Sequence, residues 1–130
     1  KRAAGQAAAE MIQDGMLVGL GTGSTAAFFI EALSRRCREG LKISAVATSL
    51  QSAQLALQLE IPLEDFETIT KLDITVDGAD EIDAHKNMIK GGGGALLREK
   101  LLARSSQEMI VVIDEKKLVN HLGAHPLPIE

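Results

Sequence analysis

An α/β fold on a mostly parallel sheet flanked by helices is what this chain of 130 residues predicts, and three observations carry that expectation. Short apolar β-type runs alternate with helix-type segments, the pattern of strand–helix–strand units. One late run, Met109-Ile110-Val111-Val112-Ile113, is apolar throughout and reads as a strand buried on both faces. Polar loops follow the apolar runs directly, and in parallel sheets ligands bind beyond the carboxyl ends of the strands.

Residues 2 to 14 are alanine-rich and predict a first helix, closed by Gly15 as a C-terminal stop. Leu17-Val18-Gly19-Leu20 is a short apolar strand, and Gly21-Thr22-Gly23-Ser24-Thr25 leads from it into a second helix through about Glu39. Ile43 to Ala47 is a β-rich run. Thr48 or Ser49 then caps a helix that carries Leu50, Ala53 and Leu57 on one face. Ile61-Pro62-Leu63 is a short extended piece, and Leu72 to Val76 is the next strand. A helix-forming segment follows Gly94, and the apolar run at Met109 follows that. Gly123, Pro126 and Pro128 mark a last turn with an extended tail. There is neither an internal repeat nor a low-complexity linker, so residues 1–130 are expected to form one domain.

Composition narrows the function classes. Hydrophobic residues make up 45% and charged ones 25%, as in a soluble globular protein. Aromatics are 2%, so the core is aliphatic and few platforms exist for stacking bases. A net charge of −4 argues against an electrostatic grip on nucleic acid. No apolar run approaches membrane-spanning length and no signal peptide is visible, although the chain starts without Met, as trimming of a leader would leave it. Cys37 is the one cysteine, so no internal disulfide forms and a reducing cytoplasm is expected. It stands among Arg35, Arg36 and Arg38 with no partner base, and is expected to be an inert thiol.

The stretch from Asp77 to Glu99 concentrates the chemistry. Asp77, Asp80, Glu81 and Asp83 place four carboxylates in a loop after a strand, and Lys90 opens a run of four glycines, Gly91 to Gly94. So many consecutive glycines are costly in backbone entropy, and packing alone explains them poorly. They let several N–H groups converge on one anion, close to the positive end of the following helix. A cation, a nest of donors and a carboxylate cluster suit an anionic polyhydroxy ligand. Glu99 falls on an apolar arc with Ala95, Leu96, Leu102 and Ala103 as its helical neighbours. Burial there would raise its pKa towards the range of a general base. The competing reading is a surface glutamate paired with Arg98 or Lys100, with Leu97 and Leu101 as the core face. From the helix alone both stay open.

The first loop, G-L-G-T-G-S, departs from the dinucleotide fingerprint at Ser24, and no acid follows Ala47 to hold a ribose hydroxyl. No Lys precedes Ser24 and Thr25, so it is not a Walker A loop. A phosphate, or several sugar hydroxyls, fits what remains; an ordinary turn capped by Ser24 fits equally. The carboxylate loop fails the EF-hand pattern at Ala79; a lone Mg²⁺ stays open there, although Lys90 nearby would supply positive charge without one. His85, His121 and His125 lack zinc-ligand spacing.

Taken together, V-G-L-G-T-G-S-T-A, T-V-D-G-A-D-E-I-D, I-K-G-G-G-G-A-L-L-R-E-K and I-D-E-K-K-L-V-N-H-L-G-A-H-P-L-P-I-E closely resemble the type A ribose-5-phosphate isomerase family, in order from Lys1 to Glu130. The resemblance implies a Rossmann-like domain that interconverts ribose 5-phosphate and ribulose 5-phosphate without a cofactor. That chemistry requires proton transfer between C2 and C1 through an enediolate, and no metal is expected in it. The resemblance implies Glu99 as the catalytic base. From the chemistry required, Lys90 is expected to face the developing oxyanion, Asp77 to assist ring opening, and Asp80 to be a further sugar-hydroxyl or proton partner. Thr22, Gly23, Ser24, Thr25, Asp77, Gly78, Ala79, Asp80, Lys90, Gly91, Gly92, Gly93 and Lys117 match substrate-binding positions, and Lys1 falls where the family has a basic residue near the site. Gly94 and Leu97 depart from the commonest family wording around the base. Family members continue past Glu130 into a second small α/β domain, so a C-terminally incomplete chain is expected, and a homodimer or higher homo-oligomer for the full-length form. The alternative is a non-catalytic sugar-phosphate sensor of the same fold, which would need neither Glu99 nor the whole D-G-A-D set.

Overall fold

A computed structural model describes all residues from Lys1 to Glu130. Four parallel strands form the sheet: β1 (Leu17–Leu20), β2 (Ser44–Ala47), β3 (Leu72–Asp77) and β6 (Ser106–Val111), in the order β2-β1-β3-β6. Val18 lies opposite Ala45 on one side and Ile74 on the other, so β1 and β3 are the two central strands. The chain leaves β1 towards β2 and later returns to β3 on the opposite side of β1. That reversal opens a crevice between the carboxyl ends of β1 and β3, the position where doubly wound sheets bind ligands.

Helices α1 (Arg2–Glu10), α2 (Ser24–Arg38) and α3 (Leu50–Gln58) contribute Ala8, Phe29, Leu33 and Ala56, and the turn after α1 contributes Ile12, to one aliphatic core with Val18, Leu20, Ala45, Ile74 and Val76 of the sheet. A smaller cluster of Val46, Leu72 and Leu102 joins the sheet to α4 (Leu96–Ser105). Burial of these side chains is the main stabilising term, at roughly 1.5–3 kcal/mol for each large aliphatic residue.

Several elements differ from the sequence reading. Helix α1 ends at Glu10 rather than Asp14, because Arg36 turns its guanidinium onto the Ala9 and Ile12 carbonyls while the Gly15 amide bonds Lys42. The Leu50 and Leu57 face of α3 points outward, with exposures of 79% and 63%, and the helix buries Ser52 and Ala56 instead. Strand β6 starts at Ser106 and pairs only with β3, so it is a half-exposed edge rather than a strand covered on both faces. Ser106 Oγ donates to the Leu102 carbonyl, which ends α4 and starts β6 without a loop. The carboxylate loop contains a small antiparallel hairpin, β4 (Glu81–Ile82) with β5 (Met88–Ile89). Short 3-10 turns at Phe66–Thr68 and Glu115–Lys117 were also not foreseen. No helix is long and apolar enough to cross a membrane.

Candidate active site

The loop after β1 and the loop after β3 touch directly. Gly21 is required here, since a Cβ at that position would lie 2.1 Å from Asp77 Oδ1. Removing that methyl lets Asp77, which ends β3 and is 1% exposed, accept the Thr22 amide at 3.1 Å and the Gly78 amide at 2.7 Å on one oxygen. Its other oxygen meets Lys90 Nζ at 3.0 Å. Lys90 follows β5, so the hairpin is what carries the ammonium back under the D-G-A-D loop, where it also donates to the Gly78 carbonyl.

Helix α4 supplies the third member. Glu99 is 4% exposed, whereas Leu97 and Leu101 are 57% and 44% exposed, so the carboxylate faces inward and the leucine stripe faces out. Glu99 Oε2 stands 3.5 Å from Lys90 Nζ as an ion pair and makes no hydrogen bond of ordinary geometry. Burial pushes the Glu99 pKa up, the neighbouring Asp77 charge pushes it further, and Lys90 only partly offsets them. An unsatisfied, buried carboxylate oxygen with a raised proton affinity is a group poised to take a proton.

The glycine turn has a mixed role. Gly91 adopts φ 95°, a conformation that favours glycine, and the Gly94 amide closes the turn on the Gly91 carbonyl at 3.0 Å. The Gly92 amide donates to Asp80 Oδ2 at 2.8 Å. Two of the four amides are thus spent inside the protein, leaving those of Gly91 and Gly93 for a ligand. The start of α4 is also occupied, because Glu130 Oε2 accepts the Leu97 amide at 2.8 Å. The start of α2 is free of a side-chain cap, Gly23 bears φ 101°, and Gly23, Ser24 and Thr25 border the crevice. Lys1 Nζ donates to Ser24 Oγ at 2.8 Å and lies 3.9 Å from Asp114, which brings a second ammonium to the same loop.

Every residue expected to contact substrate lines one cleft of about 170 Å³, with Glu99 at its wall. Val112 and Ile113 line it too and were not anticipated; they lie just beyond β6, level with the loops after β1 and β3. Glu81 and Asp83 do not reach the cleft. Glu81 accepts the Gly123 and His125 amides, both at 3.0 Å, and Asp83 accepts the His85 and Asn87 amides in the hairpin turn. Those backbone bonds hold the Glu81 carboxyl below its usual range, and the Asn87 side chain first of all does the same for Asp83. The four carboxylates therefore split into two beside the cleft and two that fasten the chain. Cys37 is half-buried with its pKa raised by burial against the opposing Arg36 charge, as expected of an unreactive thiol.

Residues 44–130 match the family model described as ribose 5-phosphate isomerase A (phosphoriboisomerase A). The ribose-5-phosphate isomerase A of Protochlamydia amoebophila is 62% identical over the whole of this chain, which covers 56% of that protein. A D-ribose-5-phosphate isomerase solved in complex with phospho-erythronic acid superimposes with a TM-score of 0.89 at 41% identity, over 93% of this chain and 54% of its own. Ribose 5-phosphate isomerase A of Methanocaldococcus jannaschii gives 0.90 at 42% identity, over 95% and 55%. The chain spans a little over half the length of the curated relatives it matches.

Proposed function

The chain belongs to the ribose 5-phosphate isomerase A family, and from that premise we propose that it carries the active site of an aldose–ketose isomerase interconverting D-ribose 5-phosphate and D-ribulose 5-phosphate. The observation that carries the reading is Glu99: a buried carboxylate with an unpartnered oxygen beside a single ammonium, on the wall of a polar cleft. A reaction that moves a proton between adjacent carbons needs one base able to reach both and hold the proton in between. Glu99 takes the proton from C2 of the open-chain aldose and returns it to C1, while a proton passes from O2 to O1 so that the carbonyl ends on C2. The negative charge that develops on the enediolate oxygens faces Lys90 and the free Gly91 and Gly93 amides, donors fixed before the reaction begins.

Asp77 and Asp80 lie beside the same cleft and are assigned to ring opening and to the sugar hydroxyls. The phosphate is assigned to the start of α2, with the Ser24 and Thr25 hydroxyls, Lys1, and Lys117 at the rim. Phospho-erythronic acid, bound by the solved relative, combines a phosphate, hydroxyls and a carboxylate, the groups this cleft has partners for. A cytoplasmic setting and a homo-oligomeric assembly belong to the same reading. The unpaired Cys37 supports the first, and the outward Leu50 and Leu57 of α3 give an assembly an apolar face to cover.

The direct test is to mix the protein with ribose 5-phosphate in EDTA and follow the appearance of ketose. Turnover that persists under chelation supports Lys90 and the amides as the source of positive potential. Turnover abolished by EDTA and restored by Mg²⁺ would make the D-G-A-D loop a metal site.

A further inference from the structure

Beneath the first loop lie two buried hydroxyls that the proposed chemistry does not use. Thr48 follows β2 and is fully buried, and Ser52 in the first turn of α3 is 5% exposed. Between them they meet three successive residues, the last of β1 and the first two of the loop that follows it. Thr48 Oγ1 donates to the Leu20 carbonyl at 2.9 Å, Ser52 Oγ donates to the Gly21 carbonyl at 2.5 Å, and Thr48 Oγ1 lies 2.7 Å from Thr22 Oγ1. Ser49 Oγ donates in turn to Ser52 Oγ at 3.0 Å.

The protons on these oxygens can be assigned by counting. A hydroxyl has one proton and two lone pairs, whereas a carbonyl oxygen only accepts. The 2.9 Å contact between Thr48 and Leu20 is therefore bridged by the Thr48 proton. The 2.7 Å contact is then bridged by the proton of Thr22. The reverse arrangement would press two lone-pair oxygens together in a buried, weakly screened place. Thr22 spends its proton inward and turns only lone pairs to the cleft. Ser24 is its converse: it accepts from Lys1 and keeps its own proton to give.

We propose that Thr48 is a positioning residue that makes Thr22 a hydrogen-bond acceptor. Thr22 then holds a donor group of the ligand, a sugar hydroxyl, and the phosphate is left to Ser24, Thr25 and the start of α2. This rests on the sugar-phosphate reading of the cleft.

Kinetics of the full chain with Thr48→Val, Thr48→Ser, Thr22→Val and the double valine variant test it, with inorganic phosphate as a competitive inhibitor. Thr48→Val is close to isosteric and orphans no backbone group, because the Leu20 carbonyl still accepts the Thr48 amide at 3.0 Å. It should raise KM for ribose 5-phosphate by about tenfold with kcat within about threefold, the loss of one ground-state hydrogen bond. Thr48→Ser, which keeps the hydroxyl, should restore KM to within about threefold of the parent. The double variant should be no worse than Thr22→Val alone, since both remove the same interaction. The inhibition constant of inorganic phosphate should stay unchanged throughout. Additive effects in the double variant would overturn the positioning role. Phosphate inhibition that weakens in step with KM would overturn the acceptor role, and Thr22→Val alone decides that point if Thr48→Val does not fold. Parent protein without affinity for ribose 5-phosphate would overturn the sugar-phosphate reading itself, and this inference with it.

Discussion

Glu99, Lys90 and Asp77 form a buried row of two carboxylates sharing one ammonium, at 3.5 and 3.0 Å. One charge serves two acids, so the carboxylate with fewer hydrogen bonds carries the penalty, and that is Glu99. Its folded pKa lies above the usual 4.5, so the folded state binds this proton more tightly than the unfolded state. The contribution is fully present below the unfolded pKa and is lost as pH rises through the folded one. Denaturation of Glu99→Gln should therefore show a protein at least as stable as the parent near neutrality, with the difference disappearing in acid. A variant less stable at neutral pH would mean that the ionised carboxylate is net favourable where it stands. Lys90→Ala should act on both chemistry and fold. Turnover should fall by about 10²-fold or more, as for other preorganised donors, and thermal stability should fall because two buried carboxylates lose their shared cation. A change confined to KM would make Lys90 a ground-state anchor.

At the scale of elements, the carboxylate loop divides its labour. Glu81 grips the segment around Gly123 and His125, and the Ile82 carbonyl accepts the Val119 amide at 2.9 Å, so the tail is tied beside Asp80. Backbone donors depress the Glu81 pKa, so its stabilisation is present at neutral pH and lost as acid protonates it. Hydrogen exchange of Glu81→Ala should show faster exchange at the Gly123 and His125 amides, while those of β1 and β3 keep their protection. Equal protection in the variant would show that the tail is held by other contacts. None of this could be read from spacing, because D-G-A-D-E-I-D shows acids without showing which of them faces backbone from residues 42 and 44 positions away. The hairpin β4–β5 escaped for a similar reason: two-residue strands carry too little alternation to register as a period. The outward turn of α3 has a plain cause as well. Ala56 packs in the main core and Ser52 donates to the Gly21 carbonyl, and with that face turned inward Leu50 and Leu57 are left outside.

For the molecule as a whole, the strand–helix alternation, the G-T-G-S-T loop and the K-G-G-G-G turn were legible in the chain, and the parallel sheet brings them together at the β1/β3 crevice. The edge position of β6 was not, since an apolar run does not tell how many neighbours a strand has. For Glu99 the helix offered two faces, and only the packed structure put the carboxylate inside and Leu97 and Leu101 outside. Of the residues under the first loop, Thr48 registered only as one of two candidate helix caps and Ser52 gave no signal. Whether Glu99 is the base is read from the turnover of ribose 5-phosphate by Glu99→Gln. The amide keeps the size of the side chain and removes its capacity to take a proton. Glu99→Gln should fold, bind ribose 5-phosphate as the parent does and lose turnover by about 10²-fold at least. Near-parental turnover by folded Glu99→Gln would contradict it and move the base to Asp77 or Asp80.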